Sequence, residues 1–117
     1  YAFGDTITPE QANISSNTKP RTKVVGTYPA NAWGFHDMHG NVWEWCSDWY
    51  ADYPSGSARD PVGQLVGGTL RVYRGGSWCY DYSSFGSIRS ARRNRITPDT
   101  RSNILGFRLS LQTAKVE

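Results

Sequence analysis

Residues 70–78 read Leu-Arg-Val-Tyr-Arg-Gly-Gly-Ser-Trp and combine a short alternating run with a glycine break. Apolar and polar side chains alternate over Leu70–Arg74, which is the period of a β-strand with one buried face. Gly75 and Gly76 then end the alternation, and glycines at such a point indicate a bulge or a close approach between two backbone segments. The stretch therefore predicts a strand that stops abruptly against another part of the chain.

Weaker alternating runs occur on both sides of this strand. They predict strands at Val42–Cys46, Ile88–Arg95 and Gly106–Leu111, with a possible further strand at Lys23–Thr27. Thr8–Gln11 has the composition of a single helical turn. Twelve glycines and six prolines among 117 residues favour turns over long regular elements. The predicted fold class is α+β, irregular and loop-rich, with short antiparallel strands and few helices.

Composition and charge narrow the functional classes. Hydrophobic residues make up 38% of the chain and aromatic residues 14%, so the interior of this one small domain must be largely aromatic. No apolar run is long enough to span a membrane. Eight arginines lie between Arg71 and Arg108, yet no known nucleic-acid-binding motif accompanies them. We expect no membrane-spanning segment and no nucleic-acid partner, and we expect the arginines to stack on rings or pair internally.

Four short motifs stand out along the chain: Tyr1–Asp5, Gly40–Trp45, Arg74–Trp78 and Gly106–Arg108. Together, and in this order, they resemble the formylglycine-generating enzyme (sulfatase-modifying factor) family. The resemblance covers nearly the whole chain and implies a C-type-lectin-like fold. Because the family's complete domain is longer, residues 1–117 would be the C-terminal portion of one such domain. A separate piece carrying the N-terminal half is then a possible partner.

The same resemblance implies that the family's copper chemistry is missing. In its enzymes two cysteines after the Gly-Gly-Ser motif hold copper and oxidise a substrate cysteine, and the matching positions here are Tyr80 and Phe85. Cu(I) selects soft thiolate ligands, which these rings do not provide. We therefore expect no copper and assign no catalytic residue. A copper-dependent formylglycine-generating oxidoreductase acting on sulfatase cysteines stays the alternative, and it would need a reactive Cys79 or Cys46.

Cys46 and Cys79 are too few to define a disulfide framework. The two side chains could pair, or both could be buried free thiols. The sequence leaves this choice and the compartment open, with an extracytoplasmic or cell-surface location favoured.

The segment from Asp37 to Glu44 places two carboxylates around a glycine turn. Calcium prefers hard oxygen ligands, carboxylates and carbonyls, on a bent chain. The resemblance implies a structural calcium ion held by the side chains of Asp37 and Glu44 and by the carbonyls of Gly40 and Val42. The residues alone also allow an Asn/Gly turn whose acids cap backbone donors.

Other metal sites have less support. The family's second calcium site would use Asn13 and Ile14, but its acidic segment is absent between Lys19 and Val24. His36 and His39 are three residues apart without a neighbouring cysteine, which favours capping roles over a transition metal.

Residues 79–104 contain no Lys, Glu, Gln, Met or Trp, although 15 of the other 91 residues are of these types. This deficit resembles the variable proteins of diversity-generating retroelements, which use the same lectin-like scaffold and whose hypervariable codons exclude those five residues. An abundance of Tyr and Ser is also typical of antibody paratopes. The alternative is an ordinary loop of a non-catalytic family member.

The resemblance to variable proteins implies a displayed surface for a protein or other ligand. Its predicted contact residues are Cys79, Tyr80, Asp81, Tyr82, Ser83, Ser84, Phe85, Ser87 and Ile88, with Arg92 and Arg95 beside them. The sequence therefore predicts a non-catalytic module that binds its ligand through residues 79–104 on a calcium-stabilised scaffold.

Overall fold

The computed structural model describes residues 1–17, 19–59, 61–80 and 86–111. This part of the chain contains no helix and a single sheet whose strands lie in the order β3-β2-β1-β4. The four strands are β1 (Trp43–Trp49), β2 (Arg71–Arg74), β3 (Asn94–Ile96) and β4 (Leu105–Gly106). Turns and extended loops form the rest of the described chain, as the abundance of Gly and Pro predicts.

The sheet is mixed, which corrects the expectation of antiparallel strands alone. β1 and β2 pair antiparallel, with Trp45 opposite Tyr73, and β2 and β3 also pair antiparallel. β4 instead runs parallel to β1, with Trp43 opposite Leu105. A parallel pair needs a long connection rather than a hairpin, and the chain between β1 and β4 supplies it by forming β2 and β3 on the way.

Two of the predicted strands are present with shifted ends. Leu70–Arg74 is confirmed to within one residue. The strand predicted at Val42–Cys46 begins at Trp43 and continues to Trp49. Its extension has a partner, because the Trp49 amide donates to the Gln64 carbonyl at 2.7 Å.

Three strand predictions are wrong over most of their length. Residues 86–92 form successive turns rather than a strand, with the Arg92 amide donating to Arg89, and β3 begins only at Asn94. At the C-terminus only Leu105–Gly106 pairs with the sheet. At Lys23–Thr27 the chain turns, because the Thr27 amide donates to the Val24 carbonyl. Alternation marks these segments locally, but only the parts that lie beside β2 or β1, Asn94–Arg95 and Gly106, pair as strands among the described residues.

The apolar interior lies beside the sheet. Ile7, Ala12, Ile14 and Ile88 form a buried cluster against which the rings of Tyr1, Phe3 and Tyr80 pack. Burial of one Ile side chain of this kind stabilises the fold by about 1.5–3 kcal/mol. The prediction of a largely aromatic interior is wrong for the described residues. Their buried hydrophobic side chains are Ile7, Ala12, Ile14, Trp43, Val72 and Ile88, of which Trp43 alone is aromatic.

Gly76 and Gly40 allow the close backbone approaches that the glycine break predicts. Gly76 has φ +76°, and a Cβ there would overlap the side chain of Ile88. Gly40 also has φ +76°, and its Cβ would overlap the Asn13 carbonyl. The Gly40 amide donates to the Gly75 carbonyl at 2.8 Å. The end of β2 is thereby fixed against both the 37–44 segment and the turn around Ile88.

Candidate functional site

The 37–44 segment is a strongly bent stretch of backbone. Asp37 and Asn41 have positive φ values of 55° and 62°, a region that non-glycine residues seldom adopt. The bend is held by the Asn41 side chain, whose Oδ1 accepts hydrogen bonds from Asn13 Nδ2 and from the Lys23 amide, both at 3.0 Å. These hydrogen bonds tie the bend to two other parts of the chain.

Arg108 pairs with one of the two carboxylates predicted to bind calcium, that of Glu44. Its Nε and Nη2 donate to the two oxygens of Glu44 at 2.7 and 2.6 Å, and Nη2 also donates to the carbonyls of His36 and Asp37. This pairing with Glu44 raises the pKa of Arg108. Asp37 Oδ2 accepts from the Gly26 amide at 2.7 Å. Both carboxylates thus have donors of their own.

These residues fit a calcium ion in their chemistry, but Glu44 is already engaged. The turn offers carboxylate and carbonyl oxygens, the ligands that calcium prefers. Both Glu44 oxygens nevertheless accept from Arg108, so binding to an ion requires the guanidinium to move aside. Within the described ranges no group of three or more His, Cys, Asp or Glu side chains comes together as a metal cluster.

The two histidines bond to backbone groups. The buried His39 contacts the Ile88 carbonyl through Nδ1 at 2.7 Å, and its Nε2 accepts from the Ala2 amide at 2.9 Å. Since a carbonyl only accepts, Nδ1 carries the proton and the ring is neutral. Burial lowers the pKa of His39. His36 Nδ1 lies 2.8 Å from the Tyr28 carbonyl. The preference for capping roles over a transition metal agrees with these contacts.

The predicted contact residues of the 79–104 segment fall into different environments. Tyr80 is half-buried, and its ring meets the Trp43 ring edge-on, with 5.7 Å between the two ring centroids. Arg92 and Arg95 are exposed. The predicted display of Ser87 and Ile88 is wrong, because they are 7% and 0% exposed. Ile88 occupies the space over Gly76 that a side chain would otherwise fill. The remaining predicted contacts lie outside the described residues: Asp81, Tyr82, Ser83, Ser84 and Phe85.

Both cysteines are free thiols, and only one of them is partly buried. Cys79 is exposed, with its Sγ 3.2 Å from the hydroxyl of the buried Ser77. Cys46 is half-buried on β1, and burial raises the pKa of its thiol. A raised pKa opposes formation of the thiolate that a nucleophile or a copper ligand requires. Neither the disulfide nor the pair of buried thiols considered from the sequence is observed.

Three arginines stack on aromatic rings at the end of β1 and in the loop that follows it. The Arg71 guanidinium lies 3.8 Å from the Trp49 ring centroid. Arg93 lies 4.0 Å from Tyr53 and 4.8 Å from Tyr50, and Arg95 lies 4.3 Å from Tyr50. We call the set Trp49, Tyr50, Tyr53, Arg71, Arg93 and Arg95 the arginine–aromatic face.

The arginine–aromatic face confirms the stacking expected from the composition, but sequence reasoning did not single out Arg93. The sequence signal for this face is its many Arg and Tyr residues, and composition does not determine which side chains come into contact. Arg93 and Tyr53 are 40 positions apart in the sequence. Their contact depends on β3 lying beside β2 and on the loop that follows β1.

The fold and the sequence together place the chain in a known family. Residues 1–113 match the family model of the sulfatase-modifying factor enzyme 1-like domain. The chain belongs to this family, which confirms the resemblance seen in its motifs.

Individual relatives show which proteins use similar domains. The chain is 42% identical to the serine/threonine-protein kinase pkn1 of Chlamydia caviae, over 92% of this chain and 17% of the relative. It is 38% identical to the formylglycine-generating enzyme of Streptomyces coelicolor, over 92% of this chain and 39% of the enzyme. The chain therefore spans well under half the length of these relatives.

Among solved structures, the chain resembles Treponema denticola variable protein 1. The TM-score is 0.74 at 36% sequence identity, over 85% of this chain and 35% of that protein. This similarity confirms the predicted loop-rich, lectin-like fold of the formylglycine-generating-enzyme type. The described residues include no helix with the length and apolarity needed to cross a bilayer.

Proposed function

We propose that this chain is a non-catalytic module that binds a protein or another surface ligand through residues 79–104. The observation that carries the proposal is the similarity in fold and sequence to the Treponema variable protein. The absence of Lys, Glu, Gln, Met and Trp from this segment supports the same function. After removal of the buried Ser87 and Ile88, the proposed contacts are Cys79, Tyr80, the five residues that follow Tyr80, Arg92 and Arg95.

The alternative, a copper-dependent oxidoreductase, has less support from the side chains. Tyr80 stands where the enzymes' first copper cysteine is expected, and it packs against Trp43 and the Ile cluster. The raised pKa of Cys46 makes that thiol a poor substitute. Cys79 is exposed, and a single thiolate does not replace the two that hold Cu(I) in the family. A binding role needs neither thiol.

We further propose that Asp37, Gly40, Val42 and Glu44 hold a structural calcium ion. When bound, the ion would replace the Arg108 guanidinium as the cation beside Glu44 and would fix the 37–44 turn. A partly engaged site of this kind favours weak affinity, which is typical of extracellular calcium modules. An extracytoplasmic or cell-surface location, where calcium is abundant and a ligand-binding surface is accessible, is consistent with this proposal. Protection from an added protease in intact cells would contradict that location.

The binding proposal is tested with a probe selected against the protein itself. A random peptide phage library is panned on the wild-type chain, and the affinity of an enriched peptide is measured by fluorescence anisotropy. Tyr82→Ala is expected to weaken binding about tenfold, because truncation of a central aromatic contact typically has this effect. Trp33→Ala is the matched control, since Trp33 is an aromatic residue that is 84% exposed and outside the segment. Equal effects of the two substitutions, in folded proteins, would contradict the proposal.

A further inference from the structure

A cavity of about 690 Å³ opens beside the arginine–aromatic face, at the end of β1. Its walls include Trp49 and Tyr53 from that face, the apolar side chain of Val62, and the cationic side chains of Arg74 and Arg93. It is separate from the 37–44 turn, which contributes no lining residue. The cavity therefore combines apolar walls with two guanidinium groups.

One wall of the cavity is held in place by close packing on β1. Trp49 donates from its amide to the Gln64 carbonyl at 2.7 Å and from Nε1 to the Leu65 carbonyl at 3.1 Å. Gly63 has φ +70°, and a Cβ there would lie 2.6 Å from the Asp48 Cβ. A Cβ on Gly68 would overlap the Trp49 side chain. The segment from Gly63 to Gly68 is thus seated directly on the strand, which gives the cavity a defined wall.

Arg93 is held as a rigid hydrogen-bond donor in the lining of the cavity. Its guanidinium stacks on Tyr53 and Tyr50, and Nη2 donates to the Ala51 carbonyl at 2.8 Å. A guanidinium carries five N–H donors in a planar fork. Among the described residues, the hydrogen-bond acceptor of Arg93 is the Ala51 carbonyl, which engages Nη2. A stacked fork loses little freedom on binding and matches the two oxygens of a carboxylate.

We propose that this cavity binds a carboxylate side chain of a partner polypeptide, with Arg93 as its bidentate donor. The apolar residues beside that carboxylate would pack on Tyr53 and Val62. This inference rests on the proposed binding function and adds the chemistry of one part of the partner. It also enlarges the binding surface, since Arg93 lies between Arg92 and Arg95 of the 79–104 segment.

The charges in the cavity favour an acidic polypeptide over a nucleic acid. Asp48 and Asp52 also line the cavity and repel a continuous row of phosphates. An isolated carboxylate between apolar side chains carries one negative charge into the cavity, whereas a nucleic-acid backbone carries one at every phosphate. Pro54, Pro61 and Val62 offer the apolar surface that such a peptide needs and that a sugar-phosphate backbone does not use.

The test uses a fluorescein-labelled peptide in which Glu and Leu alternate, with its Gln-for-Glu counterpart as the reference. Anisotropy at physiological salt is expected to show about tenfold weaker binding of the Gln peptide, because hydrogen bonds to a charged group are lost. Arg93→Gln is expected to weaken binding of the Glu peptide by a similar factor. Arg21→Gln, which removes an exposed arginine outside both the cavity and the 79–104 segment, should leave binding of the Glu peptide unchanged. Asp52→Asn should strengthen binding of the Glu peptide a few-fold.

Further measurements distinguish a bidentate contact at Arg93 from simple charge attraction and from nucleic-acid binding. Arg93→Lys keeps the charge but not the planar fork, so it should bind the Glu peptide more weakly than wild type even if Arg93→Gln fails to fold. Equal binding of the Glu and Gln peptides, equal effects of Arg93→Gln and Arg21→Gln, or wild-type affinity in Arg93→Lys would overturn the proposal. Tighter, Arg93-dependent binding of single-stranded DNA would replace the acidic peptide by a nucleic acid.

The outcome is separable from that of the binding proposal above. The Glu peptide probes the cavity, and the panned peptide probes the 79–104 segment, so each proposal has a readout of its own. If the Glu peptide fails to bind while Tyr82→Ala still weakens the panned peptide, only the cavity inference is wrong.

Discussion

At the scale of single residues, Arg108 changes how the 37–44 turn is interpreted. The sequence showed two carboxylates around a glycine, which indicates a cation site. The structure supplies a cation from the chain itself, 64 positions away from Glu44. A bidentate pair of this kind has the geometry that makes arginine–carboxylate contacts specific. Calcium and Arg108 would therefore compete for the same carboxylate.

Calcium is expected to raise the melting temperature of the wild-type protein by several degrees, since a ligand that binds only the folded state stabilises it. Glu44→Gln should abolish the calcium-dependent part of this rise. Differential scanning fluorimetry with calcium or with EDTA measures both effects. Glu10→Gln, at an exposed carboxylate elsewhere, should keep the full rise. The absence of any calcium effect on the wild type would show that the scaffold is not calcium-stabilised.

His39 makes stability depend on pH. Because burial lowers its pKa in the folded state, the unfolded chain takes up the proton first as pH falls. The free energy of unfolding should therefore be highest above the ordinary histidine pKa of about 6.5 and should fall below it. Urea unfolding in EDTA at several pH values measures this slope. His39→Gln should flatten the slope and His36→Gln should retain it; the opposite pattern would exclude His39 as its source.

At the scale of elements, the end of β2 is the junction of the structure. There Gly76 packs against Ile88, and the Gly75 carbonyl accepts from the amide of Gly40 in the 37–44 turn. Arg74 donates from Nη1 to the carbonyls of Ser90 and Arg92. The turn that follows residue 86 is thereby attached to the sheet although it is not a strand. The position of Arg92, Arg93 and Arg95 depends on this attachment.

Gly76→Ala is expected to destabilise the protein by about 2–5 kcal/mol, because it adds a positive-φ penalty to overpacking against Ile88. Gly26→Ala is the matched control: its φ of +75° is nearly the same, but the added Cβ meets no atom within 4 Å. That substitution should cost about 1 kcal/mol. Chemical denaturation of both variants gives the comparison. Similar losses in the two would mean that the contact with Ile88 does not constrain the junction.

At the scale of the whole molecule, this chain keeps the family's scaffold, and we infer that it lacks the family's chemistry. A sulfatase-type cysteine peptide incubated with the full chain, copper, oxygen and a reductant should keep its cysteine, because Tyr80 and Phe85 replace the thiolates. Mass spectrometry detects the alternative product, formylglycine, and an active formylglycine-generating enzyme serves as the positive control. Conversion by this chain would contradict the binding proposal, and its loss in Cys79→Ser or Cys46→Ser would identify the thiol responsible.

The sequence by itself was sufficient for the family, the loop-rich fold class and β2, because each is encoded in contiguous motifs. Alternation over five residues and a following pair of glycines are local signals, and they predicted both a strand and its abrupt end. No local sequence signal determined whether the cysteines are paired or where the other strands begin and end. Whether an alternating run becomes a strand depends on a neighbour to accept its hydrogen bonds, and residues 107–111 have none among the described residues.

Only the tertiary structure decided which side chains are displayed and which charges meet. Ile88 lies in a segment with the composition of a binding surface, yet it is buried because Gly76 leaves space for it. Glu44 meets Arg108, and Arg93 meets Tyr53, across long stretches of loop. Such contacts depend on how the loops return to the sheet. Burial and charge pairing are properties of that three-dimensional arrangement, which the one-dimensional pattern of residue types does not contain.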